Sequence, residues 1–230
     1  MIVSEREARE TGRDYALRML KHNIICLELA PGSMVSESEL AAELGLSRTP
    51  VREALIELSK SKIVEIYPQK GSWISLIDYT LVEEARFTRL VLEKAIVELA
   101  CLMATPEDIE ALEHCVLLQE FYLKNPGAGD AAESSLMKLD NQFHQLLFLS
   151  CQKQQTYALL NSFTIHFDRV RQMSISSVKD NKTVADHRAM VEAIARKDAQ
   201  AACACMEKHL SRYQVDKEAI LKDYPQYFKQ

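Results

Sequence analysis

Apolar residues recur at three- and four-residue intervals over most of the first 60 positions, with short polar breaks between the stripes. Over residues 8–25 the stripe is irregular but keeps helical spacing, which predicts a first helix. A Pro-Gly break follows, and a second, short helix is predicted to begin at Ser36. Ser36 and Glu39 have the spacing of a capping box, in which two side chains satisfy each other's backbone amides. Gly45 suits the left-handed position that ends such a helix.

A proline lies inside the next apolar stripe, in the stretch LGLSRTPVREAL at residues 44–55. In a helix interior Pro50 would lose a hydrogen bond and clash with the preceding turn, at a cost of about 3 kcal/mol. If Ser47 or Thr49 caps the helix, Pro50 instead falls in the first turn, where amides have no partner within the helix. We therefore predict that a third helix begins here. Two helices joined by a tight turn with a glycine form the helix-turn-helix pattern.

The pattern then changes to alternation, with β-branched and aromatic residues on both sides of the turn sequence PQKG. This predicts a β-hairpin with strands at 63–67 and 72–77 and with Lys70 and Gly71 at its tip. A helix, a helix-turn-helix and a hairpin in that order predict a winged helix-turn-helix DNA-binding domain over residues 1–77.

From residue 78 to residue 230 the chain is one amphipathic helix after another, without a further strand signal. The predicted breaks between these helices lie at 105–108, 125–130, 150–154, 176–183 and 195–198. The sequence therefore predicts a mainly α protein, with an amino-terminal winged helix-turn-helix and a carboxyl-terminal all-helical bundle of six or seven helices.

Composition supports helices and restricts the electrostatics. Of the 230 residues, 47% are hydrophobic and 7% aromatic, with six glycines and six prolines, which favours helices over a sandwich or barrel. The net charge is −5, from 28 basic and 33 acidic side chains, and residues 1–76 carry 10 basic and 11 acidic ones. Binding to nucleic acid must therefore rest on a local basic patch and a dimer rather than on a basic domain.

Two further features bear on the cellular compartment. The longest apolar run, AIVELACLMA, is too short to span a bilayer and contains a glutamate. The six cysteines form no C-x-x-C pair, and no signal-peptide pattern is visible. We expect reduced thiols in a cytoplasmic protein that does not associate with a membrane.

The third helix offers chemistry for reading DNA. A helix amino terminus brings free amides and the positive end of the dipole towards phosphate. Arg48 and Arg52 are four residues apart and share a face, so either can bond guanine in a bidentate manner, while Ser47 and Thr49 can bond phosphate. The alternative is an ordinary solvated helix face. The candidate DNA contacts are Ser47, Arg48, Thr49, Arg52, Lys70 and Gly71.

The helical bundle carries three histidines and an aspartate on apolar helix faces. Asp140 and His144 are four residues apart, and His144 lies on a stripe of core residues. His187 and His209 lie on apolar stripes of two later helices. If these side chains converge, imidazole nitrogens with one carboxylate suit Zn²⁺, Ni²⁺, Fe²⁺ or Mn²⁺. The alternative is three separate core histidines.

The stretch from Pro31 to Ile74 resembles the winged-helix domain of GntR-type bacterial transcription regulators, and SRTPVREAL is its most specific part. The resemblance implies that Arg48 and Arg52 contact bases and that Ser47, Thr49 and Gly71 also contact DNA. Two positions depart from the pattern. Ser38 stands where some members of the fatty-acid-responsive branch have arginine, and Leu27 stands where glycine is frequent.

Residues 80–215 resemble the FCD ligand-binding domain of the FadR-type branch of these regulators, through segments such as LDNQFHQLL and DHRAMVEAI. The resemblance implies a divalent metal and a small carboxylate effector held with the help of arginines. Our candidates for this role are Arg89 and Arg171, with Arg169 as a weaker one. For Arg89 the alternative is a surface pair with Glu93. The metal ligands implied by the resemblance are Asp140, His144, His187 and His209.

The sequence thus predicts a homodimeric repressor whose binding to a double-stranded DNA operator responds to a small carboxylate. Two alternatives stay open. Three histidines and an aspartate around a metal can also activate water in a hydrolase-like enzyme, although no inward glutamate stands beside them in an H-E-x-x-H arrangement. The other alternative is a regulator that senses acyl-CoA without a metal.

Overall fold

The computed structural model describes residues 1–125, 130–177 and 182–229. Ten α-helices and one three-stranded sheet lie within these ranges, which confirms the predicted mainly α fold. The amino-terminal elements are α1 (Gly12–Ile25), β1 (Met34–Val35), α2 (Glu37–Leu44), α3 (Arg48–Lys60), β2 (Val64–Tyr67) and β3 (Gly71–Ile74).

The helix-turn-helix is formed by α2 and α3, with one half of the capping box predicted at Ser36 and Glu39 and with the predicted glycine end of α2. The Ser36 hydroxyl caps α2 by accepting a hydrogen bond from the Glu39 amide, and Gly45 ends the helix in the left-handed conformation with φ +65°. Ser47 is the residue before α3, so Pro50 is the third residue of that helix and falls in its first turn, as predicted. The missing amide of Pro50 therefore costs no helical hydrogen bond.

The end of α1 explains one departure from the family pattern. Leu27 lies just beyond this helix and has φ +65°, a backbone conformation that glycine adopts without a steric penalty. Leucine keeps the left-handed conformation here even though its Cβ disfavours it. Replacing glycine by Leu27 has not removed the turn between α1 and β1.

The predicted hairpin is present, with shorter strands and one additional partner. Strands β2 and β3 pair antiparallel, and Tyr67 opposes Gly71 across a three-residue turn that contains Lys70. The predicted strands ran from 63 to 67 and from 72 to 77, so they were too long at both outer ends. Strand β1 pairs with the other edge of β3. Two residues are too few to show alternation, so the sequence did not indicate it.

Seven helices follow within the described residues, at the upper end of the prediction. They are α4 (Tyr79–Met103), α5 (Pro106–Lys124), α6 (Asp130–Ser150), α7 (Gln154–Phe163), α8 (Ile165–Ser177), α9 (Thr183–Ala195) and α10 (Ala199–Asp223). The predicted breaks at 105–108, 150–154 and 195–198 coincide with helix ends. Those at 125–130 and 176–183 lie largely outside the described residues.

One break between helices was not predicted. Helices α7 and α8 meet at Thr164, although residues 154–177 contain neither glycine nor proline. The Thr164 hydroxyl donates to the carboxylate of Asp168, one turn into α8, at 2.9 Å. Ile165, the first residue of α8, packs into the core of the winged helix.

Two hydrophobic clusters form the core. The first is built from α1, α2, α3 and the sheet, and Ile165 of α8 inserts into it. The second is built from α4 to α10. The chain end returns to the segment between the two clusters, where the Ile77 amide donates to Tyr227 O at 2.8 Å and the Lys229 amide donates to Ile77 O at 2.9 Å.

Two further observations concern the cysteines and the apolar character of the helices. All six cysteines are free thiols. None of the helices within the described ranges combines the length and apolar character that a membrane crossing requires.

Candidate functional site

The structure brings the four predicted metal-binding side chains together in the middle of the helical bundle. Asp140 and His144 project from one face of α6, one turn apart, and meet His187 from α9 and His209 from α10. Each residue offers a ligand atom, and these atoms all lie within 4.8 Å of one another. All four side chains are buried. Three separate core histidines, the alternative interpretation, would not share one centre.

Asp140 is too far from its two neighbouring histidines for hydrogen bonds, and only His144 and His209 are within hydrogen-bond distance of each other. Asp140 Oδ1 lies 3.6 Å from His187 Nε2, and Asp140 Oδ2 lies 3.7 Å from His144 Nε2. His144 Nε2 and His209 Nε2 are 3.1 Å apart. The Nε2 atoms of all three imidazoles therefore point into one small volume next to a carboxylate.

Burial also sets the protonation of these histidines. Desolvation lowers the pKa of His144, and it lowers the pKa of His187 and His209 well below the usual range. The imidazoles are therefore neutral near pH 7. Neutral imidazole is the form that binds a metal ion.

An unpaired buried nitrogen of His187 supports a divalent cation at the centre of the cluster. His187 Nε2 is buried and has no hydrogen-bond partner among the described residues. A buried polar atom left unpaired costs about 1–3 kcal/mol, whereas a cation at the centre would satisfy it. Three imidazole nitrogens and one carboxylate oxygen are a ligand set that Zn²⁺, Ni²⁺, Fe²⁺ and Mn²⁺ all accept.

Two polar residues behind the cluster hold the rear nitrogens of its histidines. Glu93 Oε2 lies 2.5 Å from His144 Nδ1, and Gln119 Oε1 lies 2.7 Å from His187 Nδ1. Sequence reasoning missed both roles. Both residues lie on stripes with buried apolar neighbours, Glu93 with Val97 and Gln119 with Val116, and a polar residue in such a stripe was the available signal.

Glu93 is an inward glutamate beside the proposed ligands. It comes from α4, so the prediction that no such glutamate stands in an H-E-x-x-H arrangement still holds. Burial alone raises its pKa, but the charge of Arg89 and the hydrogen bonds from His144 and Arg89 outweigh burial and lower the pKa to about 2. The carboxylate is therefore a fixed anion rather than a proton acceptor.

The two candidate effector arginines lie at the edge of the cluster. Arg171 contacts the carboxylate of Asp140 and bonds Asp168 Oδ1 at 2.7 Å. Arg89 does pair with Glu93, at 2.6 Å between Nε and Oε1, but the pair is buried and not on the surface. Its guanidinium also stacks over the Phe167 ring at 5.4 Å.

A cavity of about 50 Å³ opens beside Asp140, Arg171 and His209. Its other walls include the apolar side chains of Phe167 and Val184. The weaker candidate, Arg169, does not line this cavity. It is fully buried in the contact with the winged helix.

The candidate DNA contacts lie at the opposite end of the molecule. All six, namely Ser47, Arg48, Thr49, Arg52, Lys70 and Gly71, are exposed. Ser47 precedes α3 and makes no side-chain capping bond. Arg52 Nη2 bonds Glu37 Oε2 at 2.7 Å and its Nε lies 3.0 Å from both Glu37 oxygens, yet its side chain is 62% exposed.

The chain is similar to two known protein families over most of its length. Residues 14–74 match the bacterial regulatory proteins of the gntR family, and residues 84–212 match the FCD domain. An HTH-type transcriptional regulator in an unstable DNA locus of Streptomyces ambofaciens is 33% identical over 227 residues, which cover 98% of this chain and 93% of that protein.

A second relative and a solved structure agree. The HTH-type transcriptional repressor RspR of Escherichia coli K12 is 28% identical, over 93% of this chain and 92% of its own. The structure of Escherichia coli McbR/YncC shares the fold with a TM-score of 0.76 at 19% identity, covering 94% of this chain and 99% of that one. These matches are to transcriptional regulators and not to enzymes, which removes the hydrolase alternative. The chain belongs to the GntR family of bacterial transcriptional regulators, with a DNA-binding helix-turn-helix domain followed by an FCD domain.

Proposed function

We propose that this regulator is a homodimeric repressor whose operator binding responds to a small carboxylate held at a metal site in the helical domain. The observation that carries the proposal is the convergence of four buried donor side chains beside a cavity that contains an arginine. The proposed metal ligands are Asp140, His144, His187 and His209.

The chemistry of the cavity supports a carboxylate ligand. When bound, a divalent cation would attract a carboxylate oxygen into the cavity. Arg171 lines the cavity, and its planar guanidinium can grip a carboxylate through two parallel hydrogen bonds once it exchanges its present partners, Asp140, Asp168 and Asn141. Phe167 and Val184 supply apolar walls, beside the polar side chains of Ser174 and Thr183.

Arg89, the other effector candidate, does not line this cavity. It lines a separate pocket of about 10 Å³ with His144 and Arg171, where its buried Nη1 atom has no hydrogen-bond partner among the described residues.

The size of the cavity favours a small acid over an acyl-CoA thioester. The cavity beside Asp140, of about 50 Å³, has room for a carboxylate with a short chain and not for a fatty acyl chain, which would need the larger groove of about 530 Å³ lined by α1, α3 and α4. The lining also contains Asp140, His209 and Arg171, which are polar groups that an acyl chain would leave unpaired. The metal-free alternative therefore has less support from the geometry.

The exposed amino terminus of α3 supports direct reading of DNA. We infer that Arg48 and Arg52 contact base edges in the major groove, that Ser47 and Thr49 fix the register on phosphates, and that the wing approaches the backbone through Lys70 and Gly71. A homodimer would place two such helices in successive major grooves of a palindromic operator. Because the partner is operator DNA, we place the protein in the bacterial cytoplasm. The repressor role is inferred from the RspR relative, which is a transcriptional repressor.

Helix α8 supplies a route between the two ends. Asp168 and Arg171 of α8 face the metal-site cluster, and His166 and Arg169 of the same helix contact the winged helix. An effector that binds one position of α8 better than another would shift the winged helices with it. A coupling of about 1.4 kcal/mol is enough for a tenfold change in operator affinity.

The test begins with selection of binding sites from random duplex DNA by the full-length protein. Affinity for the selected duplex is then measured by fluorescence anisotropy with a panel of small mono- and dicarboxylates. The measurements use protein loaded with Zn²⁺, Ni²⁺ or Mn²⁺ and protein stripped by chelation. We expect at least one acid to change the affinity tenfold or more, only with metal present, and the response to be lost in His144→Ala.

The alternatives give different results in the same experiment. A carboxylate response that survives both chelation and His144→Ala contradicts the metal site. A response to acyl-CoA alone, in metal-stripped protein, supports the acyl-CoA alternative. The acid should also be recovered unchanged after incubation with the protein.

A further inference from the structure

Gln119 lies behind the proposed metal site without being one of its ligands. It comes from α5 and is buried, with 1% of its surface exposed. Its Oε1 atom lies 2.7 Å from His187 Nδ1. Its Nε2 atom donates to the backbone oxygen of Leu139 at 3.0 Å and lies 3.6 Å from the sulfur of Cys115.

These contacts fix which end of the Gln119 amide faces the histidine. The amide nitrogen carries two hydrogens and no acceptor, and both of its neighbours on α5 and α6 can accept. Turning the amide over would place its oxygen against the Leu139 carbonyl oxygen, with two acceptors in contact. The network therefore assigns the oxygen to the His187 side.

The orientation of the amide dictates the tautomer of the imidazole. Because Gln119 Oε1 can only accept, His187 Nδ1 must carry the hydrogen. A neutral imidazole has a single N–H, so His187 Nε2 is left with its lone pair. That atom is buried without a hydrogen-bond partner among the described residues and lies 3.6 Å from Asp140 Oδ1.

The Phe143 ring also restricts the orientation of the His187 imidazole. The ring of Phe143, on α6, stacks on the His187 ring with a centroid distance of 4.0 Å and an interplanar angle of 19°. Stacking restricts tilting of the ring, and the Gln119 bond restricts rotation within the plane. Together they aim Nε2 at the centre of the cluster.

We propose that Gln119 is a positioning residue that holds His187 as the Nδ1–H tautomer and thereby offers its Nε2 lone pair to the metal ion. This inference rests on the proposed metal site. His144 has a charged counterpart in Glu93, which approaches its Nδ1 to 2.5 Å. The two histidines are thus oriented by different acceptors, one anionic and one neutral, and the neutral amide makes His187 the less basic ligand.

The first readout needs no metal. In full-length apo protein labelled with ¹⁵N-histidine, two-bond nitrogen–proton correlation spectra distinguish the Nδ1–H and Nε2–H tautomers. We expect His187 to be the Nδ1–H form in the wild type and in Gln119→Glu, whose carboxylate can also accept. We expect a mixture of tautomers in Gln119→Leu, because leucine provides no acceptor.

The second readout is Zn²⁺ affinity, measured by competition with a chromophoric chelator. Loss of such an orienting partner lowers metal affinity by about 10–100-fold. We expect that loss in Gln119→Leu and an affinity within a few fold of wild type in Gln119→Glu. The matched control is Gln142→Leu, which changes an exposed glutamine on α6 and leaves both readouts unchanged.

The contacts around Gln119 favour folding of the Gln119→Leu variant. The Leu139 carbonyl keeps a second donor, the Cys115 thiol at 3.3 Å, after the amide is removed. Gln119→Met, which keeps the unbranched shape and replaces the amide oxygen by a thioether sulfur that accepts only weakly, is the second variant, and circular dichroism checks both.

The outcomes separate the two claims. An unchanged His187 tautomer in both Gln119→Leu and Gln119→Met overturns the positioning role, and so does wild-type Zn²⁺ affinity in both. Failure of the wild type itself to bind Zn²⁺ overturns the proposed metal site, while the tautomer spectra still decide whether Gln119 orients His187.

Discussion

The guanidinium of Arg169 donates a hydrogen bond to the backbone oxygen of Ser75, at 2.7 Å between Nη1 and O, across the contact between the helical domain and the winged helix. Ser75 follows β3 directly, and Arg169 lies two residues before Arg171, which lines the cavity beside Asp140. A single helix therefore contacts the cavity with one face and the wing with another. In the proposed function, α8 is the element that would carry the response.

Arg169→Met should separate effector binding from the change in DNA affinity. The substitution removes the charged donor and leaves the Ser75 oxygen without it, so we expect the free energy of unfolding to fall by about 1–3 kcal/mol. The carboxylate should still bind with wild-type affinity, because Arg169 does not line the cavity. Isothermal titration measures that binding, and anisotropy measures the loss of the DNA response. Arg196→Met, at an exposed arginine, is the matched control.

Acid should weaken the same contact through His166. Its Nε2 lies 2.8 Å from Ser61 O, and its Nδ1 lies 3.1 Å from Arg169 Nη2. The histidine therefore donates to Ser61 and accepts from Arg169, so a second proton would meet the guanidinium. Burial lowers the pKa of His166 to about 4, although its bond to Ser61 acts in the opposite direction.

The direction of the pH effect on stability follows from the difference between the pKa values of His166 in the folded and unfolded chains. The unfolded chain takes up a proton at His166 below about pH 6.5, whereas the folded chain resists until about pH 4. Stability from this residue is therefore complete above pH 6.5 and falls as the pH drops towards 4, by up to about 3 kcal/mol. Urea unfolding at pH 7.5 and 5 should show a smaller drop in His166→Gln, whose amide can both donate and accept. Equal drops in the two proteins would show that His166 is not the source.

Arg52→Ala should abolish sequence preference while the protein stays folded. A bidentate arginine–guanine contact contributes about 1–3 kcal/mol of discrimination, and Arg52 is exposed on the first turns of α3. Glu37 already holds one edge of its guanidinium, so Glu37→Gln should relax the preference at the same base pair more weakly. Selection of sites from random duplexes measures both effects, with Lys60→Ala at the far end of α3 as control. Unaltered preference in Arg52→Ala would exclude this helix face from base reading.

Sedimentation equilibrium should give twice the chain mass of 26.2 kDa. One winged helix buries too little DNA surface for tight specific binding, so a palindromic operator needs two. A single species of 26.2 kDa at micromolar concentration would contradict the homodimer.

The sequence predicted those features that are set by local chemistry. Pro50 and Gly45 mark helix ends through backbone effects that neighbouring residues cannot change, and both ends lie where they were expected. The spacing of Asp140 and His144 put them on one helix face for the same reason. Strand β1 was not predicted because two residues are too few to show a periodicity.

The remainder depends on tertiary contacts. Gln119 and Glu93 reach their histidines from other helices, so their roles depend on how α4 and α5 pack and not on any spacing along the chain. Arg169 lies in the same segment as Arg171 but faces the wing, because positions two apart on a helix point in directions about 200° apart and the packing of α8 decides which of them meets the wing. The sequence offered both arginines as effector ligands, and only the fold distinguishes them.

The metal content of purified protein tests the central claim most directly. Full-length wild type and the double variant His187→Ala, His209→Ala are incubated with equimolar Zn²⁺, desalted and measured by inductively coupled plasma mass spectrometry, with circular dichroism as the check on folding. We predict one ion per chain in the wild type and less than a tenth of that in the folded double variant. Equal metal content in the two proteins, or none in the wild type, would contradict a cation held by the buried histidines.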